Sequence, residues 1–423
     1  MNLNELKIGI FGLGYVGLPL AIEFSKKFNV IGFDINSSRV DELNSYKDFT
    51  NEVESENIET QINNKSLLFT SDLSNIKNCN IYIVTVPTPV DESKMPDLSY
   101  ILNASKQISE NLKKGDIVIY ESTVYPGCTE EECVPVLEKY SNLKYNKDFY
   151  CGYSPERINP GDKINTLTKI KKVTSGSNKE IAKLVNKLYL SIIDAGTHLA
   201  PSIKVAEASK AIENAQRDLN ISFMNELAII FDKMEIDTND VLEAAGTKWN
   251  FLNFKPGIVG GHCIGVDPYY LTYKSKKLGY DPKVILSGRE VNDNMGNFIG
   301  QKVLTLMSQN NIEKKDSKIL ILGITFKENC PDIRNSKVKD IYNYLKNKGS
   351  NVHVHDPFAN SDVVKKEFNI KLISNFEKYD AIILAVAHRD YHDLKVENLK
   401  KDKDSIIYDV KGILDRKIVD ERL

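Results

Sequence analysis

The chain of 423 residues contains few cysteines, six in all, so few disulfide bonds could cross-link the fold. These cysteines lack the CxxC pairs of structural zinc sites, and such sparse thiols are typical of a reducing compartment. No window approaches the ~18 consecutive apolar residues of a membrane span, and the N-terminus does not have the pattern of a signal peptide. We therefore expect a cytoplasmic protein without disulfides.

The chain also lacks an excess of charge of either sign. Its 56 basic and 58 acidic residues leave a formal net charge of −2, so we do not expect nucleic acid or anionic membranes as partners. Low-complexity linkers rich in glycine or proline are absent as well. With 41% hydrophobic and 27% charged residues the composition is that of a globular protein, and this length predicts two or three domains.

A dinucleotide-binding fingerprint opens the chain. The apolar run Lys7–Phe11 leads into a GxGxxG motif and then into a helical pattern. A second strand, Val30–Phe33, ends at Asp34, 22 positions after Gly12, which is near the offset of about 20 expected of a ribose-binding acid. We predict that the cofactor is bound by the acid and by the motif residues Gly12, Leu13, Gly14, Tyr15, Val16 and Gly17.

The acid also selects the cofactor. A carboxylate that accepts hydrogen bonds from the ribose 2′-hydroxyl repels a 2′-phosphate, so NAD is preferred over NADP. Arg39 is the one reservation, although an arginine on the next helix is usually solvated or stacked on adenine, and we include it among the candidate cofactor-binding residues.

Strand and helix patterns continue to alternate, which predicts a doubly wound parallel sheet. Further strands are expected at Ile81–Val86, Asp116–Tyr120 and Tyr150–Tyr153. Ligands bind beyond the carboxyl ends of such strands, so the three loops that follow should line one cleft. Candidate cofactor-binding residues in these loops are Thr85, Pro87, Thr88 and Thr123.

A long helix is predicted from Ser202 to about Lys233, where no strong breaker occurs. Such a helix spans roughly 45 Å, so we expect it to bridge domains and to offer a dimerisation face. Lys210, Asn214 and Arg217 lie on one stripe of this helix, either as a solvated polar face or as part of a site.

The C-terminal section repeats the strand rhythm, beginning at Lys318–Leu322. Its first turn, Gly323–Lys327, lacks the second and third fingerprint glycines, so Lys327 and Arg334 are expected to bind a phosphorylated, nucleotide-like ligand. The predicted fold is thus α/β, with two Rossmann-like doubly wound domains joined by a helical domain. We place the NAD domain at 1–200, the helical dimerisation domain at 201–312 and the domain for the nucleotide-like ligand at 313–423.

Cys263 stands in the glycine-rich stretch 256–268, downstream of the fingerprint. An isolated cysteine is usually a small buried hydrophobe. Its glycine neighbours and Asp267 four residues later favour a nucleophile instead. A thiol combined with a nicotinamide cofactor predicts oxidation of an alcohol through to an acid. We do not expect His262 and Cys263 to bind a metal, since adjacent ligands without a matching His/Cys cluster are not typical of a zinc site.

Over essentially its whole length the chain resembles the UDP-sugar 6-dehydrogenases, of the UDP-glucose/UDP-mannose dehydrogenase superfamily. The resemblance rests on Tyr120–Glu132, Tyr153–Lys163, Lys248–Pro268 and Gly323–Ser336. These segments are most similar to the bacterial branch that oxidises UDP-N-acetylglucosamine or UDP-N-acetylgalactosamine for surface polysaccharides.

The resemblance implies roles for individual residues. The catalytic residues that it implies are Cys263, Lys210, Asn214, Asp267, Glu156 and Thr123. Glu156 is expected to be the base that hydrolyses a thioester, with a pKa raised by burial toward neutrality, unless it merely pairs with Arg157. Substrate contacts are implied for Glu156, Arg157, Lys210, Asn214, Arg217, Lys255, Gly260 and Lys327, and a cofactor contact for Arg334. The role of Lys411 stays open, and Trp249 either lines the sugar pocket or, as we prefer, anchors the core.

The implied function is a four-electron, NAD-dependent oxidation of C6 of a UDP-N-acetylhexosamine in a homodimer or higher homo-oligomer, for capsule or O-antigen precursors. UDP-glucose or UDP-N-acetylmannosamine is the alternative substrate. Two other functions remain open: a two-electron dehydrogenase of the hydroxyacid type, and a catalytically silent regulator that binds NAD or nucleotide sugars.

Overall fold

The structure is a computed structural model that describes residues 5–91, 93–158, 162, 164–261 and 264–423. It divides into two compact units. The first comprises Met1–Glu213 with Tyr269–Tyr280, and the second comprises Asn214–Pro268 with Asp281–Leu423.

The first unit is built on an eight-stranded sheet. Its strands are β1 (Lys7–Phe11), β2 (Asn29–Phe33), β3 (Leu67–Thr70), β4 (Ile81–Val84), β5 (Ile117–Tyr120), β6 (Tyr150–Tyr153), β7 (Lys172–Gly176) and β8 (Thr197–Leu199). They lie in the order β3-β2-β1-β4-β5-β6-β7-β8. All neighbours are parallel except β6 and β7, which run antiparallel. The start of β7 therefore lies at the same edge as the carboxyl ends of β5 and β6.

Helices cover this sheet and bury its apolar side chains. They are α1 (Gly17–Ser25), α2 (Ser37–Asn44), α3 (Ser55–Asn63), α4 (Ser99–Ser109), α5 (Val134–Ser141) and α6 (Lys179–Leu190). Asn36 caps α2 and Asn178 caps α6 through side-chain oxygens that accept backbone N–H groups, which is why these helices begin where they do. Strands β1 and β4 are buried on both faces, as expected of a parallel sheet.

Helix α7 (Ile203–Lys233) is the longest helix among the described residues, with 31 residues. It begins one residue after the predicted start and ends at the predicted residue. The division between the two units falls within it, after Glu213. None of the helices in the described part of the chain has the length and hydropathy needed to cross a membrane.

The second unit contains a five-stranded parallel sheet in the order β10-β9-β11-β12-β13. Its strands are β9 (Lys318–Leu322), β10 (Asn351–His355), β11 (Ala381–Leu384), β12 (Ile406–Asp409) and β13 (Glu421–Arg422). The remaining helices are α8 (Thr238–Gly246), α9 (Asp267–Lys277), α10 (Lys283–Gln309), α11 (Val338–Asn347) and α12 (Ser361–Phe368). Ile319 and Ile321 enter one apolar cluster while Leu320 and Leu322 enter another, so both faces of β9 are covered. The two parallel-sheet domains and the helical region between them confirm the predicted fold class.

Both sheets begin with the same kind of turn. Gly12 has φ +93° and donates its N–H to Phe33 O, and Gly323 has φ +91° and donates its N–H to His355 O. A positive φ is a conformation in which glycine carries no Cβ penalty. The C-terminal section therefore repeats the first turn without repeating its remaining glycines.

We expect Gly17→Ala to destabilise the first unit and Gly14→Ala to leave its stability unchanged. A Cβ on Gly17 would lie 1.8 Å from Gly12 O, whereas a Cβ on Gly14 meets nothing within 4 Å. The Gly17 variant should lose about 3 kcal/mol or more of unfolding free energy, measured by urea denaturation. Equal loss in both variants would contradict the packing role given to Gly17.

Candidate active site

The fingerprint turn is held by a side chain of the protein itself, and it leaves space for a ligand beside Gly14. Thr85 donates its hydroxyl to Phe11 O and Gly12 O at 2.9 and 2.8 Å, which fixes β1 against the loop after β4. Gly17 is packed tightly against Gly12, but the space above Gly14 is empty. A ligand can therefore reach the backbone at Gly14, as a dinucleotide pyrophosphate requires.

Asp34 stands at the end of β2, where a ribose-binding acid belongs. One carboxylate oxygen accepts the N–H of Leu13 at 2.8 Å, and the other accepts the N–H of Asn36 at 2.9 Å. Each carboxylate oxygen can accept more than one hydrogen bond. The acid is thus oriented by the fingerprint turn and fits a ribose hydroxyl.

Arg39 is buried, so the interpretation of it as a solvated residue was wrong, while its contact with the cofactor stays a prediction. Its side chain is buried, donates to Leu13 O at 2.9 Å and forms ion pairs with Glu42 and Asp48 at 3.1 and 2.7 Å. Burial tends to raise the pKa of Asp48, but hydrogen bonds from Thr50 and Arg39 hold it below its usual range. The guanidinium therefore already serves two carboxylates, which does not favour a cofactor 2′-phosphate.

The loops after β4 and β5 meet, as the topology predicted. Thr88 donates its hydroxyl to Thr123 O at 2.7 Å, and its own carbonyl accepts the Tyr270 hydroxyl at 2.8 Å. Pro87 is exposed beside them, while Thr123 is partly buried. These contacts place Thr85, Thr88 and Thr123 along one edge of the sheet.

Glu156, after β6, lies in a buried cluster of charge. Its Oε2 is 2.9 Å from the ammonium of Lys172, the first residue of β7, and that ammonium is 2.5 Å from Glu121. The Tyr189 hydroxyl donates to the other oxygen of Glu121. Glu121 lies within the motif segment Tyr120–Glu132, but Lys172 was not predicted from the sequence, because it stands in a lysine-rich segment typical of a solvated surface.

The electrostatics of this cluster correct the expectation for Glu156. Burial tends to raise the pKa of Glu156, but Lys172 and two backbone N–H groups hold it below the usual range. Burial raises the pKa of Glu121 to about 7, although Lys172 opposes the rise. The neutral-range carboxyl is therefore Glu121, and Glu156 is ionised.

Arg157 does not pair with Glu156, so that alternative was also wrong. Its guanidinium lies 2.7 Å from Glu213 and donates to Lys171 O at 2.9 Å. Only the backbone N–H of Arg157 contacts Glu156, at 2.5 Å.

The predicted stripe on α7 is partly buried and partly exposed. Lys210 and Asn214, one helical turn apart, are 8% and 7% exposed, whereas Arg217 is exposed. Asn214 donates its amide to Asp267 at 2.5 Å. Among the residues that the structure describes, no ion pair is formed by Lys210. A buried ammonium in this position suits a developing negative charge.

Glu207, one turn before Lys210, was not predicted from the sequence. Its buried carboxylate accepts the N–H groups of Gly127 and Thr129 at 2.5 and 2.9 Å. Burial raises the pKa of Glu207 to about 7. It fastens the first part of α7 to the segment that follows Thr123.

Cys263 and its neighbour His262 lie outside the described residues. The preceding loop is well fixed within the second unit: Asn225 exchanges two hydrogen bonds with Gly257, at 2.8 and 3.0 Å. A Cβ on Gly260 would lie 2.8 Å from Asn335 O, so this position has no room for a side chain. Lys255, on the same loop, is exposed.

The second unit holds two further predicted cations, Lys327 and Arg334, which follow its glycine turn in the sequence. Thr325 donates its hydroxyl to Lys327 O at 2.9 Å, and Arg334 pairs with Asp332 at 2.5 Å. Lys411 donates its N–H to Asp409 at 2.9 Å, which shows a backbone role only. Trp249 is 91% exposed, so the preferred interpretation of it as a core residue was wrong.

Three domain profiles of one family match successive parts of the chain. They describe the NAD binding domain at 6–193, the central domain at 204–294 and the UDP binding domain at 320–416 of the UDP-glucose/GDP-mannose dehydrogenase family. The chain belongs to this family. The first match spans the whole fingerprint and Asp34, and it confirms NAD as the cofactor.

Similar members of the family are known along the full length. The chain is 54% identical over 425 residues to a UDP-N-acetyl-D-glucosamine 6-dehydrogenase of Pseudomonas aeruginosa, covering 100% of both chains. It is 52% identical over 427 residues to a protein of the same name from Salmonella typhi, again covering 100% of both. A solved UDP-D-ManNAc dehydrogenase of Pyrococcus horikoshii has a TM-score of 0.90 at 29% identity, covering 99% of this chain and 98% of that one.

We expect Asp34→Ala to weaken NAD binding. Loss of a hydrogen bond to a charged group costs about 1.5–3 kcal/mol, so KM for NAD should rise about tenfold or more. Asp41→Ala, which removes an exposed carboxylate from α2, is the matched control and should leave KM unchanged. An unchanged KM in the Asp34 variant would refute the assigned role.

Proposed function

We propose that this dehydrogenase oxidises C6 of a UDP-N-acetylhexosamine, with UDP-N-acetylglucosamine favoured, to the 6-carboxylate. The product is a precursor of capsule or O-antigen polysaccharide. The observation that carries the substrate assignment is the full-length similarity to two UDP-N-acetyl-D-glucosamine 6-dehydrogenases. UDP-N-acetylmannosamine is the second candidate, supported by the similarity to the P. horikoshii structure.

A thiol is needed because an aldehyde cannot lose a second hydride until a nucleophile has added to it. The Cys263 thiol adds across the C6 aldehyde, with sulfur on carbon and the thiol proton on oxygen, to form a thiohemiacetal; loss of that hydroxyl proton together with a hydride from C6 gives a thioester. Bound NAD supplies the hydride acceptor for each oxidation. The aldehyde stays attached to the protein between the two oxidations.

Lys210 and Asn214 stabilise the negative charge that develops on the C6 oxygen. The Lys210 ammonium is buried, which strengthens its electrostatic effect. Asp267 accepts a hydrogen bond from Asn214 and thereby orients the amide. We assign Asp267 the removal of the C6 hydroxyl proton.

Glu156 is the base of the hydrolytic step. It takes a proton from water, the resulting hydroxide bonds to the thioester carbon, and the carbon–sulfur bond breaks to release the Cys263 thiolate. Thr123, on the same edge of the first unit, is proposed to help position the reacting groups. An ionised Glu156 is ready to accept the proton.

The UDP-sugar is held by cations and by a close backbone approach. Ammonium and guanidinium groups suit a diphosphate. We propose that Arg157, Arg217, Lys255, Gly260 and Lys327 contact the substrate and that Arg334 contacts the cofactor. A cytoplasmic location follows from the need for NAD and nucleotide sugars.

The active enzyme is proposed to be a homodimer or a larger homo-oligomer that uses α7. Val205, Ile212, Phe223 and Ile230 are 46%, 56%, 54% and 43% exposed. Their spacings of seven and eleven residues put them on one stripe of the helix. Exposed apolar stripes of this kind are typical of interfaces.

We expect Ile212→Glu to shift the protein toward a monomer, because it places a charge in this stripe. Size-exclusion chromatography with light scattering measures the mass. Glu226→Gln on the same helix is the control. A wild-type monomer, or an unchanged mass in the Ile212 variant, would contradict an α7 interface.

The central test counts NADH. With limiting UDP-N-acetylglucosamine and excess NAD, we expect two NADH per sugar, and fewer turnovers with UDP-N-acetylgalactosamine, UDP-N-acetylmannosamine and UDP-glucose. Cys263→Ala should abolish this four-electron oxidation, while Cys79→Ala, at a buried cysteine, should preserve it. One NADH per sugar would indicate a two-electron dehydrogenase, and none with any sugar would indicate a binding protein.

A further inference from the structure

Lys172 is buried although it closes a segment of exposed lysines. Lys169 and Lys171 are exposed, whereas Lys172 is 2% exposed. The antiparallel pairing of β7 with β6 is the cause, because it puts the first residue of β7 at the edge where Glu121 and Glu156 follow their strands. A lysine is seldom buried to this degree unless it is paired.

The contacts of Lys172 are with two carboxylates and one ring. Its Nζ lies 2.9 Å from Glu156, 2.5 Å from Glu121 and 5.5 Å from the centre of the Tyr189 ring. The other oxygen of Glu156 accepts the N–H groups of Arg157 and Ile158 at 2.5 and 2.6 Å. Both oxygens of Glu156 are thus oriented, one by the ammonium and one by the backbone.

We propose that Lys172 is a positioning residue for Glu156 in thioester hydrolysis, and that Glu121 shares its ammonium so that Glu156 keeps enough basicity to deprotonate water. This inference rests on the hydrolytic role given to Glu156 above. Neither Lys172 nor Glu121 touches the reacting atoms; both act through Glu156.

The basicity of Glu156 depends on a second carboxylate, Glu121, that shares the Lys172 ammonium. Paired with Glu156 alone, the ammonium would stabilise the carboxylate strongly and make it a weak base. An ionised Glu121 offsets part of that positive charge. The groups that face Glu121 are Lys172 from β7, Glu156 from the loop after β6 and Tyr189 from α6.

The charge on Glu121 determines how the rate of hydrolysis changes with pH. Burial raises the pKa of Glu121 to about 7, with Lys172 opposing the rise and Glu156 adding to it. Below this pH Glu121 is neutral, Lys172 serves Glu156 alone and hydrolysis is slow. Above it Glu121 is ionised, Glu156 is more basic and hydrolysis is faster.

The experiment follows the covalent adduct on Cys263 by rapid quench and intact-protein mass spectrometry, with UDP-N-acetylglucosamine and NAD. In Lys172→Met we expect hydrolysis of the adduct to slow by roughly 100-fold, the lower range of a general-base contribution. Formation of NADH before hydrolysis should change far less. Lys172→Arg should restore part of the rate, because it returns the charge.

Lys302→Met is the matched control. Lys302 also pairs with two carboxylates, Asp232 and Glu421, but none of the three is placed in the reaction. Its loss removes the same kind of ion pair and should leave adduct hydrolysis unchanged. Equal slowing in both lysine variants would overturn the inference, since a general loss of stability would then explain it.

Glu121→Gln tests the same idea without removing the Lys172 to Glu156 pair, and it serves if Lys172→Met does not fold. We expect adduct hydrolysis in this variant to lose its rise with pH near 7. A pH profile identical to that of the wild type would overturn the role of Glu121. If the wild type forms no adduct on Cys263, the proposed function itself fails, and a wild-type adduct with unaffected variants rejects this inference alone.

Discussion

The ammonium of Lys172, held between Glu121 and Glu156, is the interaction on which the charged edge of the first unit depends. An isolated buried ion costs several kcal/mol, and removal of one partner leaves that cost uncompensated. Lys172 joins the loops after β5 and β6 to the start of β7. Tyr189 connects α6 to the same cluster, because its hydroxyl donates a hydrogen bond to Glu121. The same contacts that connect these elements also fix the orientation of Glu156.

The glycine turn that follows the first strand of each sheet has a different use in the two units. In the first unit it leaves open space at Gly14 and presents Asp34. In the second, the corresponding Asp356 accepts four backbone N–H groups, pairs with His388 and is fully buried. Burial tends to raise the pKa of Asp356, but His388 and these hydrogen bonds lower it to about 2. Asp356 therefore stabilises the Gly323 turn, and other residues must recognise a ligand there.

The sequence predicted what depends on local periodicity and spacing. Strands β1 and β6, the length of α7 and the position of Asp34 directly after β2 all follow from short-range patterns. It could not predict the burial of Arg39 or Lys172, because each depends on partners brought together by the sheet. Lys172 in particular is buried because β7 runs against β6, and no local pattern encodes that reversal. The exposure of Trp249 was missed for the same reason, since composition alone favours a buried aromatic.

The proposed reaction depends most on a covalent link between Cys263 and the oxidised sugar. The direct measurement is the mass of Glu156→Gln after brief exposure to UDP-N-acetylglucosamine and NAD, followed by acid quench and peptide mapping. We expect an adduct on Cys263 with the mass of the substrate less four hydrogens, which persists because its hydrolysis lacks the base. A protein of unchanged mass that still releases the 6-carboxylate at the wild-type rate would contradict it.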